Sequence, residues 1–137
     1  MALKGKWHNE LGSVMVIGPV VDGGFELTYK TAVSTKNCAK GSFKGSGRLN
    51  TSRYGQTVAF TVSWQNKRSN CRSVTAWSGQ LQKVDGEEQI VALWLLTGID
   101  PKNKWASTNI GQDVFTKTQP KKKAIAKNLR GRRHSHP

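Results

Sequence analysis

Ser73-Val74-Thr75-Ala76-Trp77-Ser78-Gly79-Gln80 alternates so that Ser73, Thr75 and Trp77 share one side of an extended chain. That side joins two small hydroxyls to a large aromatic. A face built only for packing more often carries Val, Ile or Leu, whereas small donors beside an indole suit an enclosed, partly polar ligand. The plain alternative is a half-exposed strand with an ordinary polar face. What lies around this stretch decides between the two.

Upstream, Thr57 to Trp64 gives the clearest strand, with Val58, Phe60, Val62 and Trp64 on one face and Thr57, Ala59, Thr61 and Ser63 on the other. Downstream, Asp85-Gly86 marks a hairpin turn, and Gln89 to Leu96 is apolar on both faces. Ile90, Ala92, Trp94 and Leu96 form one face and Val91, Leu93 and Leu95 the other. A strand that is apolar outside as well as inside needs a cover, and with no long helix in the pattern another subunit is the natural one. Ser107 to Lys117 is the last strand, carrying Gly111, Asp113 and Phe115 on one side.

Toward the N-terminus, Gly5 to Asn9 reads as a short strand with Trp7 and Asn9 on one side, leaving His8 outward as a surface residue. Ser13 to Ile17 is a second strand, and Asp22-Gly23-Gly24 is a turn before the alternating Phe25, Leu27 and Tyr29. Ala32 to Lys44 loses all periodicity and reads as a long loop, with a further strand over Gly45 to Asn50. Asn50-Thr51-Ser52 is a glycosylation sequon of little weight. About eight short strands joined by hairpins predict an all-β fold, an eight-stranded antiparallel up-and-down β-barrel whose interior holds one small ligand.

At 137 residues the chain is expected to form one domain. No apolar run has the length of a membrane span, and Met1 to Trp7 has no apolar signal core, so the protein is expected to be soluble, without membrane association. The net charge is +14, and seven of those charges lie in residues 118–137, which hold no acid. The expected organisation is a barrel domain over 1–117 and a basic, disordered tail over 118–137. No aromatic residue interleaves with the tail's cations, which argues against a nucleic-acid role beyond weak charge attraction.

Cys38 and Cys71, the only cysteines, both lie in polar, loop-like stretches. A disulfide joining the two loops would add roughly 3 to 4 kcal/mol and imply an oxidising compartment. Two free surface thiols in a cytosolic protein is the alternative left open by the residues themselves.

Placed together, the inward faces supply Asn9, Ser13, Tyr29, Thr31, Ser73, Thr75 and Asp113 with Trp64, Trp77 and Trp94. Asp113 alone among the eight acids is expected inside, where it must accept a bond from a ligand or from a neighbour such as Asn9. Paired acid/base chemistry needs a second inward carboxylate, and no Ser-His or Cys-His pairing appears, so the pattern points away from an enzyme. Metal ligation finds no candidate set either. Noncovalent capture of a small ligand fits this inventory.

Gly5-Lys6-Trp7-His8-Asn9-Glu10-Leu11-Gly12-Ser13, Thr28-Tyr29-Lys30-Thr31-Ala32-Val33, Thr75-Ala76-Trp77-Ser78-Gly79-Gln80, Trp94-Leu95-Leu96-Thr97 and Gly111-Gln112-Asp113-Val114-Phe115-Thr116-Lys117 resemble the successive motifs of the avidin and streptavidin family. They occur in the family's order across all but the tail. The resemblance implies a barrel that binds biotin as a ligand, with no cofactor. On that resemblance Asn9, Ser13 and Tyr29 donate to the ureido oxygen, and Thr31 and Asp113 accept from the ureido nitrogens. Thr75 meets the ring sulfur, while Trp64, Trp77 and Trp94, with Leu96, wall the bicycle. Ser73 and the loop residues Ser34, Thr35 and Lys36 meet the valeryl carboxylate, although Lys36 stands where the family usually has a small polar residue. Trp105 resembles the tryptophan lent to a neighbouring subunit's pocket, which implies a homotetramer. The cysteine pair resembles certain bacterial members, and a secreted or periplasmic location follows. A lipocalin-like carrier of another small apolar ligand is the second reading, since such barrels also begin with Gly-x-Trp.

Overall fold

In a computed structural model that describes residues 2–32, 37–99, 101–102, 107–121 and 123, the strands close into one antiparallel barrel in chain order. They are β1 (Gly5–Asn9), β2 (Val14–Ile17), β3 (Gly24–Lys30), β4 (Phe43–Ser52), β5 (Gly55–Gln65), β6 (Asn70–Val84), β7 (Glu87–Gly98) and β8 (Thr108–Thr116). A 3-10 turn, Asn37–Ala39, lies in the β3–β4 connection. The expected all-β, eight-stranded up-and-down barrel is the observed fold.

Turn chemistry explains the hairpins. Asp22 and Gly23 have φ of 51° and 79°, and Asp85 and Gly86 have φ of 50° and 81°. Two successive left-handed residues form the tight turn whose twist matches that of paired strands, and Asp-Gly tolerates it best.

Alternation then fills the barrel. Val58, Phe60, Val62 and Trp64 of β5 are buried, as are Thr75, Trp77 and Leu81 of β6 and Ile90, Ala92 and Trp94 of β7. Strand β4 is longer than the expected Gly45 to Asn50, adding Phe43 and Lys44 at its start and Thr51 and Ser52 at its end. A Cβ on Gly47 would lie 2.5 Å from the Phe25 ring and 2.7 Å from Phe60 Cβ, and one on Gly45 would lie 2.3 Å from the Thr61 carbonyl oxygen. Glycine there makes room for bulkier neighbours instead of contributing bulk of its own.

Closure is thinnest between β1 and β8, where only His8↔Thr116 and Asn9↔Phe115 pair. Glu10 extends that seam beyond the ladder, its Oε2 accepting the Val114 amide at 3.0 Å. His8 corrects the sequence expectation: it points outward but is only 7% exposed, in register with Val14 on one side and Thr116 on the other. Burial, with the charge of Lys6, holds the His8 pKa below its usual 6.5. Its neutral form therefore contributes stability that is present above that value and lost as pH falls.

Cys38 and Cys71 are joined, with Cα atoms 5.0 Å apart. Cys71 lies at the start of β6 rather than in a loop, so the bond fixes the β3–β4 connection to a barrel strand. Asn66 reinforces it, donating from Nδ2 to the Lys40 carbonyl at 3.2 Å. The double variant Cys38→Ser/Cys71→Ser is expected to lose about 3 to 4 kcal/mol of stability. Urea denaturation of the two proteins side by side checks this.

Candidate functional site

In an up-and-down barrel the connections alternate between ends, so the β1–β2, β3–β4, β5–β6 and β7–β8 connections share one end. That half of the interior carries the polar residues; the other half is packed with Ile17, Phe25, Leu27, Val58, Leu81 and Ile90.

The β1–β2 turn aims the first donor. Asn9 Oδ1 accepts from the amides of Leu11 at 3.0 Å and Ser13 at 2.9 Å. With its oxygen committed to the backbone, Asn9 turns its amide nitrogen inward, 3.4 Å from the Tyr29 hydroxyl. Gly12, at φ 90°, lets the chain turn this tightly. Ser13 Oγ accepts the Ala32 amide at 3.0 Å, so the hydroxyl beside Asn9 also anchors the end of β3. Asn9, Ser13 and Tyr29 are all fully buried.

Tyr29 is held as a phenol. Burial raises its pKa well above 10.0, the nearby Asp113 charge raises it further, and a hydrogen bond with the Ser13 side chain opposes both. Because the folded value exceeds the unfolded one, the stability this group contributes is intact below about pH 10 and lost as pH rises through the folded value. Tyr29→Phe is therefore expected to show a smaller stability loss between pH 8 and pH 11 than the parent. Chemical denaturation at the two pH values measures the difference.

Asp113 is fully buried on β8, in register with Ala92. Its Oδ2 accepts from Trp77 Nε1 at 2.9 Å, so the indole is one protein partner of the carboxylate. A charge-assisted bond of this kind offsets the cost of burying the carboxylate. Trp77 is the centre of the aromatic set. Its ring stacks on Phe60 at 4.9 Å, tilts against Tyr29 at 5.2 Å and meets Phe115 edge-on at 6.4 Å.

Trp64 donates from Nε1 to Thr75 Oγ1 at 2.8 Å and stands edge-on to Tyr29 at 5.5 Å. Trp94 lies over Gly111, where an added Cβ would be 2.2 Å from its ring. Thr75 pairs in register with Leu96, and Ser73, half-buried, pairs with Gly98 at the open end of β6. Thr31 follows β3 at the same end. Asn9, Ser13, Tyr29, Thr75, Asp113 and the three tryptophans are buried in the barrel, while Thr31, Ser73 and Leu96 are half-buried. Ser34, Thr35, Lys36 and Trp105 lie outside the described residues.

Two contributors escaped the sequence. Phe43, at the start of β4, is fully buried and packs edge-on to Trp64 at 5.3 Å, although it sits in a stretch read as loop. Glu10 holds the β1–β2 turn to β8, tying Asn9 and Asp113 to one seam. The turn residue alternation after Asn9 carried no signal for that bond.

Chemically, the arrangement brings the polar groups of Asn9, Ser13 and Tyr29 and a buried carboxylate into one interior that also holds the three indoles. It suits a flat, compact ligand with a polar head that both accepts and donates.

Comparison with known proteins agrees with this geometry. Residues 1–118 match the avidin family. The chain is 36% identical over 127 residues to avidin from Gallus gallus, a match covering 88% of this chain and 81% of that protein. Avidin-related protein 1 from the same organism is 36% identical over 122 residues, covering 85% and 77%. Afifavidin from Afifella pfennigii is 33% identical over a shorter span of 63 residues, 46% of this chain and 38% of that protein.

Proposed function

The chain belongs to the avidin family, whose members are binding proteins rather than enzymes, and on that premise we propose that its barrel captures biotin noncovalently. The observation that carries this reading is the full burial of Asn9, Ser13 and Tyr29 in one barrel interior with the indole-anchored carboxylate of Asp113. A ureido group accepts at its oxygen and donates from both nitrogens, so three donors on one side and acceptors from Thr31 and Asp113 on the other complement it. In a dry pocket those bonds polarise one another, and the Asp113 charge strengthens them. Trp64, Trp77 and Trp94 enclose the ring system with Leu96, Thr75 meets the sulfur, and Ser73 with Ser34, Thr35 and Lys36 receives the carboxylate.

The barrel over residues 1–117 is the binding unit and residues 118–137 are an appended basic tail. The disulfide fits an oxidising compartment, secreted or periplasmic. The outer sheet face supports assembly into a homotetramer. Leu93, Leu95 and Ile110 are 58%, 49% and 69% exposed there, bordering a groove of about 560 Å³ that also runs past Ser46, Arg48 and Ala76. Apolar surface of this kind on a sheet is covered when subunits pack face to face, and Trp105 would then reach the neighbour's pocket.

Thermal unfolding with and without excess biotin tests the ligand. A rise of more than about 10 °C is expected for a ligand at ~1,000 times its Kd. Stabilisation by a long-chain fatty acid and none by biotin would favour the lipocalin-like reading instead.

A further inference from the structure

The two ends of the barrel differ in charge: the end remote from the polar half mixes acids with Lys4, Lys6, Arg53, Lys83 and Lys117, whereas the exposed described residues of the mouth are almost all basic. Among the described residues, Asp22, Asp85, Glu87 and Glu88 cluster at or beside the β2–β3 and β6–β7 turns, at the end remote from the polar half of the interior. The mouth end is cationic. Lys40 lies on the β3–β4 connection, Lys67 and Arg68 on the β5–β6 connection, and Arg72 on the first turn of β6 beside Ser73, all four exposed.

These cations are held in place by backbone rather than by ion pairs. Asn66 Oδ1 accepts from the amides of Arg68 at 2.9 Å and Ser69 at 2.8 Å, which shapes the β5–β6 loop and presents Lys67 and Arg68 at its tip. Asn70 Oδ1 accepts the Arg72 amide at 2.8 Å, and the Arg72 carbonyl accepts from Ile99 at 3.2 Å. The Asn66 to Lys40 bond joins the two connections, and the disulfide fixes the first of them to the start of β6. No carboxylate among the described residues pairs with any of the four; the ion pair between Lys117 and Glu88 is at the far end. Of the mouth-end acids, Glu10 is turned to the Val114 amide, Asp113 is inside, and Asp100 is outside the described residues.

We propose that this collar of Lys40, Lys67, Arg68 and Arg72 makes the mouth select ligands by the charge on their exposed end, admitting anionic biotin derivatives faster than neutral ones. The inference rests on the biotin reading and adds a kinetic preference to it. Four exposed cations without carboxylate partners, on the β3–β4 and β5–β6 side of the mouth, raise the positive potential along the entry path, which speeds the association of an anion and leaves the buried contacts unchanged.

Stopped-flow association of biotin and of neutral biotinamide distinguishes the cases. At ~10 mM salt biotin is expected to enter about 3- to 10-fold faster, and at ~0.5 M salt the two rates should agree within about twofold. Lys67→Glu/Arg68→Glu should abolish or reverse the low-salt difference while changing the biotin dissociation rate by less than about twofold. Lys83→Glu/Arg53→Glu, at the far end, makes the same change of net charge and should leave the difference intact. Equal rates for the two ligands at low salt, or equal effects of the two double variants, would overturn the collar. Absence of binding by both ligands would fall on the biotin reading itself and remove the inference with it.

Discussion

Asp113→Ala is expected to weaken biotin binding by about 10²- to 10³-fold, or roughly 3 to 4 kcal/mol. The carboxylate is fully buried and bonded to the Trp77 indole at 2.9 Å. Its removal takes away the charged acceptor for a ureido N–H, strands the indole donor, and relieves the charge that helps to keep Tyr29 a phenol. Asp113→Asn separates these effects, because an amide oxygen can still accept from Trp77 while the charge is gone; its loss should be smaller than that of Ala. Competition binding gives the affinities, and denaturation of the ligand-free proteins shows how much of the loss is structural. A ligand held only by apolar contacts would be retained by both variants.

Trp77→Ala carries the second large effect, a loss of about 3 to 5 kcal/mol of stability in the absence of ligand. The indole is 1% exposed and touches Phe60, Tyr29 and Phe115 while anchoring Asp113. Removing it leaves a cavity lined by rings that cannot collapse into it from rigid strands. Trp77→Phe keeps most of the volume but no donor, so its stability should fall less while binding still suffers through the unanchored carboxylate. Urea midpoints of the three proteins order these outcomes. Equal midpoints for Trp77→Ala and the parent would contradict the packing described.

Both effects converge on β6, the strand quoted first. Its alternation was legible because each inward residue has a side chain with a definite character, and the same is true of Val58, Phe60, Val62 and Trp64 on β5. The Asp-Gly turns were legible because few other pairs accept two left-handed residues in succession. Gly45 and Gly47 lie at inward positions of β4 and leave space for Phe25 and Phe60, whereas the ends of the strand, Phe43-Lys44 and Thr51-Ser52, have too few residues on either side to show a period. His8 shows a different limit. Periodicity assigns the side of the sheet, but exposure depends on what lies across the seam from it.

The site divides in the same way. Asn9, Ser13, Tyr29 and Asp113 could be placed inside from alternation and from the family resemblance. Their actual partners depend on register across strands distant in sequence. The Trp77 to Asp113 bond spans 36 residues and the Glu10 to Val114 bond 104, and neither distance leaves a local pattern. Phe43 escaped notice because a lone aromatic beside Lys44 and two glycines has no period to belong to.

Capture of biotin inside the barrel is measured most directly by titrating the protein with biotin while following tryptophan fluorescence, since the proposal sets the buried Trp64, Trp77 and Trp94 against the ligand. The expected result is a saturating change with an end point of about one biotin per chain at micromolar protein or below. An emission spectrum unaltered by biotin at micromolar concentrations and above would contradict the account.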